Sequence, residues 1–531
     1  MTDYDVVVVG GGHNALVTAA YLAKSGARTL VLERLDVTGG ALASKEFNGA
    51  TVPTVAANVG RLLPAVVTDL ALPRHGLKLI TPPSRLTSLL PDGPPVTLWA
   101  DPHRTGVELQ SLSMADSAAY EGFDSVVRTL SGLLGQLNAM IPPDLKRPGL
   151  ADAFSALRMA RAFRQLEGKQ RQTLLRVLPM AVADFVAEHF ETDAVRAAIA
   201  VRGVLYTAMG PWSAGTTAVL LNDSAGNDGG AAGAVAWALG GPGALAAALT
   251  SAARSAGAQV RTASEVASIS TDDEGRVTGV VLEGGEEITA RAVASGLDPK
   301  KTLCDLVDPV AVGPRLRWRA GNIRMPGTVA KVNLVFSRLP NFTSVTEPEA
   351  LTGRIVIAPG IDYLERAHDA AKYGRSAESP LIEMCIPTLS DPSLASDQKH
   401  VAGILMQYVP YHRRQGEWSA DRESLGDFAL KCVEEFAPGA TDLVESREVL
   451  TPVDLEHDYG FTEGHPMHGE PGLDQFFAWR PMLGHARYRF GVDGLYLCGA
   501  GAHPGGGVTG GPGSNAARAI MRDLKRRQKG G

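Results

Sequence analysis

The rhythm of apolar and polar positions changes several times along the 531-residue chain. It opens with "YDVVVVGGGHNALVTAAYLAKSGARTLVLER", in which Val6 to Val9 form an unbroken β-branched run, as expected of a parallel strand buried on both faces. A helical pattern follows to Gly26, and "RTLVLE" predicts a second strand ending in Glu33. From Arg61 to about Asn227 the composition is mostly helical, punctuated by Pro-rich loops such as "TPPSRL" and "PDGPP". Strand–helix alternation returns at "GALAAALTSAARSAGAQVRTASEVASIS", which predicts a helix from about Ala244 and strands near Val260 and Val266. Two hairpin signals, "DDEGR" and "EGGEE", accompany "VTGVVL" and "ITARAVAS". A second strand-rich excursion spans about Ala311 to Gly484, with "VAKVNLVF", "PLIEMCIP" and "VAGILMQYVPY". The chain closes with a strand, "GLYLCG", a glycine-dense loop, and a helix, "PGSNAARAIMRDLKRR", whose basic last turn suits the macrodipole.

The first segment carries chemistry. Gly10, Gly12 and Ala15 fill a G-x-G-x-x-A pattern directly after a strand, and Glu33 ends the next strand. Gly10 permits the tight turn, Gly12 lets a pyrophosphate approach the helix N-terminus, Ala15 keeps helix and strand close, and Glu33 accepts from ribose hydroxyls. That turn leaves NAD or FAD open. Gly39 and Gly40, soon after the second strand, match a Gly-Gly pair found in many flavoproteins of this type. Eight of the fifteen residues from Gly499 to Gly513 are glycine, bracketed by a strand and a helix. We read this run as a cradle for the far end of a cofactor as long as FAD, with backbone N–H groups near Gly510 to Asn515 meeting the flavin edge.

Composition narrows the partners. A net charge of -6 argues against nucleic acid, which needs a broad basic face. The cysteines Cys304, Cys385, Cys432 and Cys498 stand far apart, which suits a reducing, cytoplasmic compartment and offers no zinc knuckle or redox dithiol. The strand at the very start leaves no room for a leader peptide. Gly229 to Ala253 is uncharged, but it is Ala/Gly-rich and broken by "LGGPG", so it does not read as a membrane span. "LRMARAFRQLE" with "GKQRQ" predicts an amphipathic basic helix: Met159, Phe163 and Leu166 on one face, Arg158, Arg161, Arg164 and Lys169 on the other. It reads either as a surface helix packed on the core or as a peripheral contact with anionic lipid.

Across these motifs the chain resembles the phytoene-desaturase-like branch of the FAD-dependent amine-oxidase superfamily. Within that branch it is similar to the subfamily named for a pyridine-nucleotide-disulfide-oxidoreductase domain. "GGGHNALVTAAYLA", "GPWSAGTTAVLL", "GGPGALAAAL", "CIPTLSDPSLA", "HGEPGLDQFFAWRP" and "LYLCGAGAHPGGGVTG" carry the likeness, which covers essentially the whole chain. The resemblance implies an α/β fold: a Rossmann-type FAD domain (1–60, 240–310 and 485–531) with an inserted α+β substrate domain (61–239 and 311–484). The residues expected to touch FAD are Gly10, Gly12, His13, Asn14, Ala15, Glu33, Arg34, Gly39, Gly40, Ala41, Val266, Gly499, Ala500, Gly510, Gly511 and Asn515. Ala41 departs from the family pattern, which often has Arg there. No metal site is expected.

FAD would perform the hydride transfer, and the protein would bind and orient it in a dry cavity. His503 in the glycine loop, and His468 and Arg480 in "HGEPGLDQFFAWRP", are the candidate catalytic residues. Their alternatives are a loop histidine bonded to backbone and an ion-pair or hydrogen-bond network with Glu470 or Asp474. The leading function is an FAD-dependent dehydrogenase or desaturase acting on C–C or C–N bonds of a largely apolar small molecule, carotenoid- or isoprenoid-like, with few charges near its cavity. The electron acceptor (oxygen, a quinone or another) and self-association stay open. A second reading is an NAD(P)H-using reductase, because Gly241, Gly243 and Ala246 spell another G-x-G-x-x-A, with Arg261 or Glu265 placed to read a ribose. A third is a non-catalytic prenyl-protein binder of the same architecture.

Overall fold

The computed structural model describes residues 2–145, 149–396 and 398–530. Five short strands form one parallel sheet, in the order Leu495–Leu497, Val293–Ser295, Val6–Val9, Thr29–Leu32 and Gln259–Arg261. Val6–Val9 is central and wholly buried, which explains why its sequence is β-branched without alternation. The helix His13–Lys24 packs between Pro242–Ser255 and the last helix, Gly511–Gly530. A three-stranded antiparallel sheet, Val266–Thr271, Val277–Leu282 and Glu287–Thr289, follows the hairpin signals.

The rest of the chain builds a seven-stranded sheet, in the order Val444–Leu450, Val329–Phe336, His400–Gln407, Leu381–Cys385, Arg354–Ile357, Ser84–Leu89 and Val96–Trp99. Pairing is antiparallel except between Arg354–Ile357 and Ser84–Leu89. Both faces are covered. Leu86, Val356 and Leu405 meet helices that include Met114–Asn138 and Asp193–Val204, while Val332, Ile355 and Ile404 meet Trp418–Glu434.

Three expectations change. Ser84–Leu89 and Val96–Trp99 are strands, where loops and helix were expected. "SRLTSL" shows no apolar alternation because both faces are buried and its polar groups find partners: Thr87 Oγ1 donates to the Ala350 carbonyl at 2.7 Å, and Arg85 reaches the Gly229 carbonyl. The edges of the two cores also differ from the expected boundaries. Leu62, Val66, Leu70 and Leu72, then Val312, Ala320 and Ile323, pack with the parallel sheet, because the apolar side chains of these short segments cover it. Finally, the basic helix is two helices, Leu150–Gln165 and Gly168–Val177, since Leu166 is extended at φ −70° and buried. Arg158, Arg161, Arg164 and Lys169 face solvent. No helix among the described residues is long and apolar enough to cross a membrane.

Gly513 lies in the first turn of the last helix, where a Cβ would overlap the Asn14 carbonyl and stand 3.0 Å from Val17 Cβ. Gly513→Val is expected to destabilise the fold by ~1–3 kcal/mol, the usual cost of overpacking. A thermal unfolding scan should show the midpoint lowered by about 1–3 °C; an unchanged midpoint would mean the two helices separate freely.

Candidate functional site

The first strand ends at Gly10, whose φ of +90° makes the tight turn. Gly12 then caps the helix His13–Lys24 without any side-chain partner of its own. A Cβ at Gly12 would meet nothing within 4 Å, so this helix N-terminus opens onto free space. The Gly39–Gly40 pair closes over the turn: the Gly39 N–H donates to the Gly11 carbonyl at 2.9 Å. A Cβ on Gly40 would stand 3.3 Å from Gly12 Cα. Glu33 is almost fully buried and accepts the N–H of Gly11 at 2.5 Å and of Leu35 at 2.9 Å. Two carboxylate oxygens offer about four lone-pair sites, so acceptor capacity remains for a ligand hydroxyl.

A cavity of about 350 Å³ runs along these groups. Gly10, Gly12, His13, Asn14, Ala15, Glu33, Arg34, Gly40, Ala41, Val266, His468, Gly499 and Ala500 all line it, with Lys301, Tyr459 and Phe461. Within it, Asn14 Oδ1, His13 Nε2 and His468 Nδ1 are buried without a hydrogen-bond partner. Each such atom costs about 1–3 kcal/mol unless something satisfies it, and a dinucleotide supplies hydroxyls and phosphate oxygens. The open helix N-terminus, the buried carboxylate and these orphaned atoms therefore fit FAD. Arg34 also bridges to the Asp458 carbonyl at 2.8 Å, joining this wall to the helix Pro452–Tyr459.

The remaining expected residues sit elsewhere. Gly510, Gly511 and Asn515 do not line this cavity: Asn515 Nδ2 donates to the Asn138 carbonyl at 3.0 Å, and a Cβ on Gly511 would press on Pro504. The glycine loop instead presents Gly507 and Val508 to a second, adjoining cavity. His503 is buried, its Nε2 bonded to the Leu137 carbonyl at 3.1 Å and its ring against Phe477, and it lines neither cavity. Arg480 is buried among backbone carbonyls. Its guanidinium donates to the carbonyls of Ala500 at 2.9 Å, Met467 at 2.7 Å, Gly469 at 3.1 Å and Glu470 at 3.4 Å, so it joins a hydrogen-bond network with the Glu470 backbone and makes no ion pair with Glu470 or Asp474 among the described residues. It clamps the loop carrying His468 against the glycine loop. The second G-x-G-x-x-A turn has no open amides: Gly240 N–H donates to Asp391 Oδ2 at 2.6 Å and Gly243 N–H to Ser44 Oγ at 3.1 Å. Arg261 pairs with Glu286 at 2.8 Å, and Glu265 faces the first cavity.

The second cavity, about 110 Å³, shares His13, Ala41, Pro466 and Ala500 with the first. Its wall from the seven-stranded sheet carries Lys331, Arg354 and Glu383, joined by Arg61, Arg202 and Asp223. Sequence reasoning missed all six and expected few charges here. They arrive from separate elements, one per segment, so no local motif gathers them. The available signal was a lone charge inside an otherwise apolar strand, as in "VAKVNLVF", "GRIVIAPG" and "PLIEMCIP". Burial pulls the Lys331 ammonium below its ordinary value, while Cys385 and Glu383 hold it up.

Burial also holds four imidazoles neutral: His13, His468 and His503 fall from 6.5 to about 4, and His465 to about 3. Unfolded, each takes up a proton near pH 6.5; folded, each refuses it until about pH 4 or below. The unfolded state thus binds more protons across that window, so stability falls on acidification through it. Unfolding midpoints at about pH 5 should lie well below those at about pH 7, with a smaller drop in His503→Gln. An equal drop in that variant would show that His503 does not contribute.

Comparison with known proteins gives the site its chemistry. The family model described as "Flavin containing amine oxidoreductase" matches residues 16–521. The rat protein named pyridine nucleotide-disulfide oxidoreductase domain-containing protein 2 is 35% identical over 98% of this chain and 94% of its own length. A phytoene desaturase (neurosporene-forming) of Rhodobacter capsulatus is 25% identical over 94% of this chain and 90% of its own. The structure of cyclohexylamine oxidase from Brevibacterium oxydans superposes with a TM-score of 0.56 at 17% identity, covering 98% of this chain and 100% of that one, which is a likeness of fold. With a matching family model over nearly all its length and a cavity that suits the dinucleotide, this chain belongs to the flavin-containing amine oxidoreductase family, and FAD is its cofactor.

Proposed function

We propose that this oxidoreductase is a dehydrogenase or desaturase acting on a C–C or C–N bond of a small molecule held in the second cavity, which loses a hydride from carbon and a proton from the neighbouring atom. The observation that carries this reading is the junction of the two cavities. His13, Ala41, Pro466 and Ala500 wall both, so a molecule in the second lies against whatever occupies the end of the first. Likeness to a phytoene desaturase supports dehydrogenation of carbon–carbon bonds.

When bound, FAD supplies the hydride-accepting chemistry. The chain does the rest. Glu33 and the Gly12 helix N-terminus hold the nucleotide end, and Gly39–Gly40 fixes the turn above it. Val55, Leu205 and Leu405 supply an apolar part of the second cavity's wall. Neutral His13 and His468 stand where the cavities meet the loop that Arg480 secures, as acceptors or single donors with no added charge.

Two features speak against the alternative electron routes. The amides that would greet a second nucleotide at Gly241 are already spent on Asp391 and Ser44. All four cysteines are free, and burial lifts the Cys385 and Cys498 thiols to about 12, so no dithiol relays electrons.

Glu33→Gln is expected to weaken FAD binding about 10-fold or more, by removing a charge-assisted acceptor worth ~1.5–3 kcal/mol. Fluorescence titration of the apoprotein measures this, and equal affinity would remove Glu33 from the site. NADPH added anaerobically should leave the flavin absorbance intact over minutes. Rapid stoichiometric bleaching by NADPH would overturn the dehydrogenase direction.

A further inference from the structure

The second cavity holds more positive charge than the protein neutralises. Arg61, Arg202, Arg354 and Lys331 face it together with only two carboxylates, Asp223 and Glu383. All six are buried or nearly so: side-chain exposure is 10% for Arg61, 6% for Arg202, 1% for Arg354, 14% for Asp223 and 13% for Glu383, and Lys331 is 4% exposed.

The pairing is uneven. Arg202 engages both carboxylates, with Nε 3.0 Å from Asp223 and Nη1 2.5 Å from Glu383. Arg354 donates to the carbonyls of Ala232 at 3.1 Å and Ala234 at 2.7 Å, and its Nε stands 3.8 Å from the Glu383 oxygen that Arg202 already holds. Arg61 donates to the Asn222 carbonyl at 2.7 Å and the Gly506 carbonyl at 3.3 Å, and lies 3.9 Å from Asp223. Its Nε is buried with no acceptor. Lys331 Nζ makes no hydrogen bond or ion pair among the described residues. Carbonyl oxygens solvate a guanidinium but carry no net charge, and arginine does not neutralise itself by losing its proton. Positive charge in excess of the two carboxylates is costly in a buried cavity, and a counter-charge arriving with a ligand relieves that cost.

We propose that this enzyme acts on a small carboxylic acid, whose carboxylate docks between Arg61 and Lys331. The inference rests on the oxidoreductase reading above. It replaces a largely apolar substrate with an amphipathic one: an acidic head at the charged wall, and an apolar body against Val55, Leu205 and Leu405. A carboxylate anchored there fixes which neighbouring C–H bond is presented to the first cavity. A guanidinium suits this task because its fork matches a carboxylate in two hydrogen bonds.

The test uses the FAD-loaded protein at pH 7. Hexanoate and benzoate, and separately their neutral amides, are titrated while flavin absorbance and thermal midpoint are followed. Both carboxylates should perturb the flavin spectrum saturably and raise the midpoint, and the amides should bind about 10-fold more weakly or worse. Arg61→Gln and Lys331→Met, each checked for FAD content, should each weaken carboxylate binding to a similar degree. The probe comparison on the unaltered protein needs neither variant to fold. Amides binding as well as acids, carboxylates without effect, or full carboxylate affinity in both variants would overturn the proposal. A protein that purifies without flavin and takes up none would overturn the oxidoreductase reading, and this inference with it. A flavin-containing protein indifferent to carboxylates overturns the inference alone.

Discussion

Everything in this molecule depends on how closely backbone can approach the first turn of the helix His13–Lys24. Three segments far apart in sequence meet there, and each arrives without a side chain at its point of contact. Gly296 comes in beside Ala15, where a Cβ would stand 3.0 Å from Ala15 Cβ and 3.0 Å from the Val9 carbonyl. Gly499 lies against the Gly296 carbonyl, and Gly513 against that of Asn14. Only with these contacts closed does the parallel sheet acquire its outer strands, and only then does the helix N-terminus face a cavity instead of solvent. The glycine-dense run near the C-terminus is explained chiefly by such packing: most of its glycines press on protein, and Gly499, Ala500, Gly507 and Val508 also line the cavities.

The first site was legible because its physics is local. A strand, a side-chain-free turn, a helix start and an acid at the next strand end lie within 33 residues, and each has one conformational reason to be there. The Gly39–Gly40 pair was readable for the same reason. Residues that depend on distant segments were read less well. His503 sits in a conspicuous loop, yet its position is decided by Leu137 and Phe477, to which no nearby residue pointed. Arg480 read as a catalytic group or as part of an ion-pair or hydrogen-bond network; it is a clamp for carbonyls, that of Glu470 included, and carbonyls have no sequence signature.

The second cavity shows the limit most clearly. Six charged side chains converge from six elements, and each, taken alone, is one polar residue in an apolar stretch. Hydrophobic pattern specified the strands that carry Lys331 and Glu383, but not the one that carries Arg354, nor which neighbour each would face. The same reasoning accounts for Ser84–Leu89: a strand buried on both faces loses its alternation, and hydrogen-bonding polar residues then disguise it as loop.

The two cavities divide the electrostatic work between them. Near the shared wall, burial strips His13 and His468 of charge, so the junction is polar but neutral. Farther in, the guanidiniums cannot be neutralised in that way, and their charge persists whatever the burial. A hydride leaving a carbon atom needs a dry, neutral path, because water there would compete for the reacting groups and screen the fields that orient them. An anchoring charge is harmless only at a distance from that path, at the end of the molecule that does not react. The neutral junction at the shared wall and the charged wall of the second cavity suit both requirements, with Arg480 holding the loop that carries His468 against the glycine loop.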